Sequence, residues 1–419
     1  MGYSVWWDQR LRAGQEFSKI IEKSIRSSEK VIVLWSRSSA CSEWVSWEAS
    51  LAQYYQNYLP VTLDGTIPDQ FSNVHLLNYQ ASTFWHTLSQ GLSLVHEGQK
   101  INLITFGVGG AGCNTINNCI AKGLLGEMRF LALSSDKRLL ETSSAGEKVL
   151  IGAGERCQGD AAHGSLGAMR AEQEIMEKLR GVELVVMVGG LAGGTGGGAT
   201  PEVARICKRL GIPTIIIGML PFVFEGAHRM EAAVRAAKAL ADICNCLVII
   251  PNQYLFRIAN ESTTFADAFA MVDSILEGAL ICISELILGE GAFRATKGEI
   301  LSALSGEAFG VFVYGESSMS LLHCLADPAG QKISLLPDGG QFDKILMSIA
   351  APEGRIRHMD VYKSINRVAQ RCTSPDGIMC VDSFRFDEMD VFTTSYLGLF
   401  SREAGMAQLD EIAREAAPS

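Results

Sequence analysis

The sequence predicts an α/β protein built from two parallel-sheet domains in tandem, and three observations carry that expectation. Short runs rich in β-branched apolar residues alternate with helical stretches along most of the 419 residues, the pattern of buried strands covered by helices on both faces. All six tryptophans (Trp6, Trp7, Trp35, Trp44, Trp47, Trp85) fall within the first 85 residues. Glycine becomes frequent only from Gly107 onward, and the polar run His96–Lys100 between the two regions reads as a short linker. The expected boundaries are a module over residues 1–95, a larger α/β domain over 101–264, a central helix over 265–290, an α+β region over 291–404 and a tail over 405–419.

Composition narrows the function classes. Hydrophobic residues make up 47% and charged residues 20%, which is globular and argues against disorder. A formal net charge of −10 without a local basic patch disfavours nucleic acid and anionic lipid as partners. No stretch reads as a membrane span or a signal peptide. The eleven cysteines lie largely inside apolar or glycine-rich runs, as at Cys113, Cys119 and Cys282, where a reduced thiol packs as a small hydrophobe. Cys244 and Cys246 form the one close pair, with no second pair at zinc spacing. A reducing cytoplasm is the expected location.

In the first module, Tyr3–Trp7, Val31–Trp35 and Leu59–Leu63 read as strands, with helices over Glu16–Ser27 and Trp44–Tyr55. In the second region, Ile101–Phe106, Arg129–Leu133, Leu184–Val188, Thr214–Ile217 and Leu247–Ile250 read as buried parallel strands. Helices such as Glu172–Leu179 and Met230–Asp242 alternate with them. Phe265–Leu288 is a long apolar helix that must be buried on most sides. Beyond it, Lys344–Ile349, Ile378–Phe384 and Val391–Leu399 read as strands around a helix at Val361–Arg371, which suggests a separate α+β subdomain.

Two glycine loops carry the chemistry. Gly107-Val-Gly109-Gly110-Ala111-Gly112-Cys113-Asn114 follows the strand Ile101–Phe106 and opens a helix, where glycines admit an anion to the unpaired N–H groups of the helix start. The same residues satisfy Gly-x-Gly-x-x-Gly, and Asp136 lies at a suitable distance for a ribose hydroxyl, so a dinucleotide site stays open here. The second loop, Ala192-Gly193-Gly194-Thr195-Gly196-Gly197-Gly198, follows Leu184–Val188 and precedes another helix. Five glycines in seven positions are costly in conformational entropy, and packing does not account for them in a sequence reading. A second phosphate-binding loop beside the first does.

Together these residues resemble the FtsZ branch of the tubulin family, over about 101–401. The first loop resembles that family's Gly-Val-Gly-Gly-x-Gly-x-Asn loop, and the second its Gly-Gly-Gly-Thr-Gly-Thr-Gly signature, with Ala192 and Gly197 as departures. The resemblance implies a tubulin/FtsZ-type Rossmann-like fold that binds GTP or GDP, with Mg2+ as a possible companion, and self-assembles into filaments. It implies phosphate contacts at Gly109, Gly110, Ala111, Gly112, Cys113 and Asn114, and at Gly193, Gly194, Thr195, Gly196, Gly197 and Gly198. Pro221–Met230 is similar to the segment whose Glu225 meets ribose and whose Arg229 reaches nucleotide. Asn252 and Asp267 match the positions that meet guanine, and a carboxylate accepts from guanine N1–H and N2–H₂, which adenine does not offer. Each has a structural alternative: Glu225 and Arg229 as an i, i+4 pair, Asn252 as a turn or cap residue.

The inter-subunit hydrolysis loop departs from the family. In Gly291–Glu299, Arg294 stands for its asparagine and Thr296 for its first aspartate, leaving Glu299 as the carboxylate. Slow hydrolysis is the expectation, since a threonine is no general base at neutral pH. The segment between Gly159 and Gly167 is also shorter than the family's phosphate loop.

Residues 3–92 resemble the later part of a flavodoxin-like Toll/interleukin-1 receptor (TIR) domain, through Tyr3–Asp8, Val31–Ser36, Ser42–Glu48 and Leu59–Val61. The resemblance places that family's first strand and helix before Tyr3, so a truncated module is expected. It implies that Trp44-x-x-x-Glu48 supplies a carboxylate for cleaving NAD, where it would stabilise the oxocarbenium-like ribose. The alternative is an ordinary helical glutamate. The fusion as a whole implies a GTP-dependent assembly that clusters TIR modules for signalling or NAD cleavage, with defence as the natural setting. The competing expectation is a cytoskeletal GTP-binding filament protein whose TIR module docks other TIR proteins.

Overall fold

In the computed structural model, the described residues are 17–28, 30–55, 57–71, 77–79, 88, 101–123, 128–152, 157, 159–257, 264–288, 297–306, 308–319, 324, 340–352, 358–373, 378–385 and 392–415. They divide into two compact units at residues 100 and 101. The strand expected at Tyr3–Trp7, the linker and residues 289–296 lie outside the described residues.

In the first unit the apolar run Val31–Trp35 forms β1, which pairs in parallel with β2 (Tyr58–Thr62), itself parallel to β3 (Leu77–Asn78). Helices α1 (Phe17–Ser27), α2 (Arg37–Ala40) and α3 (Glu43–Tyr54) accompany them. The serines before α2 and α3 explain where those helices begin: Ser36 forms a capping box with Ser39, and the Ser42 hydroxyl accepts from Val45 N. Strand periodicity sends Val33 and Trp35 into one core with Ile21, Ile25, Ala49, Ala52 and Phe71. Trp35 is fully buried, stacks on Phe71 at 5.0 Å and donates from Nε1 to the Tyr58 hydroxyl at 2.7 Å.

The second unit is organised on one sheet. Its strands are β4 (Leu103–Val108), β5 (Arg129–Ser134), β6 (Glu147–Leu150), β7 (Leu184–Gly190), β8 (Thr214–Leu220), β9 (Cys246–Pro251), β10 (Ala308–Ser317), β11 (Lys344–Pro352), β12 (Ile378–Arg385) and β13 (Phe392–Ser401). The helices are α4 (Gly109–Ala121), α5 (Lys137–Thr142), α6 (Ala161–Arg170), α7 (Glu172–Lys178), α8 (Gly194–Leu210), α9 (Ala227–Ala241), α10 (Phe265–Leu288), α11 (Lys297–Ala303), α12 (His358–Ala369) and α13 (Arg402–Glu415). The strand order is β12-β11-β13-β10-β9-β8-β7-β4-β5-β6. From β6 to β9 all neighbours are parallel. After β4 the chain builds outward through β5 and β6, then returns to the other side of β4 with β7. That reversal puts the topological switch point between β4 and β7, where ligands bind in open α/β sheets.

Both faces of this sheet are covered by apolar cores, one under α6, α8 and α9 and one under the central helix α10. Leu276, Leu280 and Cys282 of α10 are fully buried, in keeping with its apolar sequence. Cys244 and Cys246 are buried packing residues. Two parts of the C-terminal region were not legible in the sequence. Strand β10 pairs in parallel with β9 through Ala308–Gly310, joining the α+β region to the larger sheet. Residues 402–415, read as mostly tail, form α13, whose Leu409 and Ile412 are buried and whose Gly405 lies against the Phe309 ring. Among the described residues no helix is long and apolar enough to cross a membrane.

Candidate functional site

The carboxyl ends of β4, β7, β8 and β9 lie side by side, and each delivers one group of candidate residues to that edge. Val108 leads directly into α4, and Gly109 takes a φ of 70°, the left-handed turn that bends strand into helix. Gly190 leads through Leu191–Gly193 into α8. The two glycine loops touch: a Cβ on Gly109 would lie 3.3 Å from Gly196 N and 3.3 Å from Thr195 Cβ. The Thr195 hydroxyl is bonded to that of Ser135, beyond β5, at 2.8 Å. Neither α4 nor α8 has a side-chain N-cap, whereas Asp136 and Asp160 cap α5 and α6. Two adjacent helix starts therefore present N–H groups with no carboxylate or hydroxyl cap, the arrangement that receives a phosphate.

The structure separates glycines that serve packing from those that leave room. A Cβ on Gly112 would fall 2.1 Å from Val188 O, on Gly194 2.6 Å from Cys157 Cβ, on Gly196 2.2 Å from Gly190 O, on Gly197 2.3 Å from Leu191 O, and on Gly198 2.0 Å from Ala161 O. This corrects the expectation that packing has no use for the second loop's glycines. Four of its five are required by close approach of α8 to the β7 turn and to α6. The opposing Gly164 of α6 meets Gly194 O in the same way, so the segment Gly159–Gly167 includes the start of a packed helix and is not purely a loop. Gly110 is different: nothing lies within 4 Å of the place its Cβ would take. Gly110, Ala111 and Asn114 are exposed at the start of α4. Cys113 points inward, its thiol donating to Gly107 O at 3.3 Å, and burial pushes that thiol up to about 12. It is a core residue and no nucleophile.

The remaining candidates are placed by the loops after β8 and β9 and by the start of α10. Glu225 Oε1 accepts from Phe222 N at 2.9 Å, and its other oxygen pairs with Arg229 at 3.0 Å, so the i, i+4 contact is formed. Gln253 Oε1 accepts from Val223 N at 3.2 Å and ties the two loops together. Beside it, Asn252 Oδ1 is buried and has no hydrogen-bond partner among the described residues, a lone acceptor of the kind a ligand's N–H would satisfy. Asp267 accepts from Thr264 Oγ1 at 2.7 Å and from Thr264 N at 3.0 Å, while its own N–H donates to Thr264 Oγ1 at 3.2 Å, a reciprocal cap of α10. Those bonds hold its carboxyl below the usual carboxylate range, leaving an ionised acceptor at the helix start. Asp136, the residue that kept a dinucleotide site open, accepts from Arg138 N and caps α5.

Two candidates lie elsewhere. Glu299 is exposed on α11, and α11 is anchored by an ion pair between Lys297 and Glu183. Glu183 immediately precedes β7, so this anchor sits at the opposite end of the strand from the glycine loops, about 20 Å away for seven residues. Arg294 and Thr296 lie outside the described residues. Glu48 is half-buried on α3, one turn from the exposed Trp44, whose ring lies 5.0 Å from that of Trp47. Among the described residues no group of three His, Cys, Asp or Glu side chains is placed to hold a metal.

Sequence reasoning missed Ser135 and the acids Asp273 and Glu277 of α10. The available signal was the i, i+4 spacing of those two acids in an otherwise apolar helix.

A doubly covered parallel sheet with two touching glycine loops at its switch point has the Rossmann-like arrangement, in which nucleotides bind at that edge. Comparison with known proteins narrows this. The family model described as Tubulin/FtsZ family, GTPase domain, matches residues 102–260, and the TIR domain model matches residues 1–91. Cell division protein FtsZ 2 of Rhizobium meliloti is 34% identical over 280 residues, covering 63% of this chain and 80% of the relative. Cell division protein FtsZ of Rickettsia felis is 39% identical over 223 residues, 52% of this chain and 49% of the relative, so the chain spans about half of that protein's length. A solved FtsZ dimer from M. jannaschii, described as empty, superposes with a TM-score of 0.68 at 24% identity, over 74% of this chain and 91% of that one. The chain belongs to the tubulin/FtsZ family and carries a TIR domain ahead of that core.

Proposed function

We propose that residues 101–401 bind GTP and GDP, assemble head to tail, and thereby cluster the TIR domains of neighbouring copies. The observation that carries the reading is the contact between Gly109 and the Thr195–Gly196 turn, which sets two side-chain-free helix starts side by side. Amides of Gly109–Asn114 and Gly193–Gly198 would hold the phosphates, Glu225 and Arg229 the ribose end, and Asn252 with Asp267 the guanine. Asn252 Oδ1, buried and without a partner among the described residues, and the ionised Asp267 are both acceptors, which matches a base edge rich in N–H groups. A divalent ion, where present, would ride on the phosphates.

Head-to-tail assembly is supported by the position of Glu299. With its helix anchored at the far end of β7, this carboxylate is out of reach of its own copy's loops, and a second copy stacked on the first would receive it. With Arg294 and Thr296 where the family carries an asparagine and an aspartate, hydrolysis is slow. Clustering raises the effective concentration of TIR domains. Glu48 beside Trp44 then supplies the carboxylate for cleaving NAD, in a reducing cytoplasm and in a signalling or defence role.

The test is to identify the nucleotide that co-purifies with the full chain. Sedimentation and nicotinamide release are then measured with GTP and NAD, for wild type and Glu48→Gln. Bound guanine nucleotide, GTP-dependent pelleting, and nicotinamide release abolished by Glu48→Gln are expected. Bound NAD with no guanine nucleotide would sink the proposal at its root. Pelleting with NAD left intact would leave a filament protein whose TIR domain only docks.

A further inference from the structure

Helix α4, which begins in the first glycine loop, runs beside the central helix α10, and two polar contacts hold them together. Asn118 Nδ2 donates to Asp273 Oδ2 at 3.2 Å, and Lys122 Nζ donates to Glu277 Oε2 at 2.6 Å. Both contacts join residues 155 positions apart, and one helical i, i+4 step separates them on each side. The helices are therefore parallel and in register. Carried upward, the same offset sets Asp267 level with Gly112, in the turn that opens α4.

The acids on α10 are an expensive choice for that position. The Glu277 side chain is 8% exposed, and it stands one turn from Asp273, a like charge. Burial and the Glu277 charge together push the Asp273 carboxyl above the usual range. Two apolar residues would pack between these helices at lower cost. What an ion pair adds is a definite register, because a buried carboxylate that slips from its lysine is left unpaired.

We propose that the Asn118–Asp273 and Lys122–Glu277 contacts are positioning contacts for the nucleotide, fixing the span between the phosphate-holding start of α4 and the base-reading Asp267. None of the four residues touches the ligand: Asn118 lies nine residues beyond Gly109, about 13 Å along the helix. The proposal rests on the GTP-binding reading of the two loops. A ligand that bridges both ends needs the span to be correct, whereas a fragment that touches one end does not.

The experiment is calorimetric titration of the full chain with GDP, guanosine and inorganic tripolyphosphate, for wild type, Lys122→Met, Glu277→Gln and the swapped pair Lys122→Glu/Glu277→Lys. The single variants bind GDP about tenfold more weakly, the size of one coupled contact. Their affinities for guanosine and tripolyphosphate stay at the wild-type values, and the swapped pair regains GDP affinity. A proportional fall for all three ligands means a general loss of structure and overturns the proposal, as does unchanged GDP binding in a folded variant. Absence of GDP binding by the wild type overturns the nucleotide reading beneath it, a separate outcome.

Discussion

The hydroxyls of Ser135 and Thr195 lie 2.8 Å apart, joining the end of β5 to the second glycine loop across the end of β4. Thr195 also lies against Gly109, so the ends of three strands meet where the phosphates are proposed to sit. Ser135 is 3% exposed, and Thr195→Val leaves its hydroxyl without that partner. The expected loss of stability is about 1–2 kcal/mol, read as a lower Tm of the full chain, with weaker GDP binding. Thr195→Ser retains both.

Substitution separates the two kinds of glycine. Gly112→Ala drives a methyl into Val188 O and is expected to destabilise the fold by on the order of 3 kcal/mol or more. Gly110→Ala meets open space and leaves the melting curve unchanged. If the first loop lies against phosphate, Gly110→Ala still lowers GDP affinity. An alanine that alters neither quantity would place the phosphates elsewhere.

Asp267 offers a test of base selection. An ionised carboxylate accepts from both N–H groups of the guanine edge, whereas an asparagine amide presents one donor group to a base that carries a carbonyl there. Asp267→Asn should shift preference from GTP toward xanthosine triphosphate, measured by competition for the site. The helix cap survives, because asparagine also accepts from Thr264.

The anchor of α11 titrates. Hydrogen bonds from Lys297 and from Asn102 N hold the Glu183 carboxyl below its usual range. A carboxylate lowered in the folded state adds stability above its unfolded value, near 4.3, and loses it as pH falls through the lower folded value. The Tm difference between wild type and Glu183→Gln is therefore expected to be full at pH 7 and to vanish at the acid end of the carboxylate range. A difference that persists there would assign the effect to something other than this ionisation.

In the TIR domain, Trp35 is fully buried and its indole N–H is used by the Tyr58 hydroxyl. Trp35→Phe removes that donor while retaining an aromatic ring against Phe71. A lower Tm for the first unfolding step of the full chain, by an amount matching about 1–3 kcal/mol, is expected.

Much of the second unit was legible because its signals are local. Five of the six strands from β4 to β9 were anticipated as β-branched runs, the exception being the short, charged Glu147–Leu150. The glycine loops stand directly after two of those strands. Strand β10, which lies inside the sheet between β13 and β9, escaped notice because Ala308–Ser317 mixes glycines with aromatic residues and has no clean period. Helix α13 escaped because its apolar face consists of few residues, buried against a surface distant in sequence.

From the order of residues alone came the strand–helix alternation and the two loops, since periodicity and turn chemistry are properties of near neighbours; the candidate base acceptors Asn252 and Asp267 came from the family resemblance. The fold alone decided which glycines are forced by packing, as at Gly112 against Val188, and which leave room, as at Gly110. It also decided that Lys122 reaches Glu277 and that Glu299 stands a strand-length from the loops. These depend on close approach between segments far apart in the chain, and no local pattern encodes such a distance.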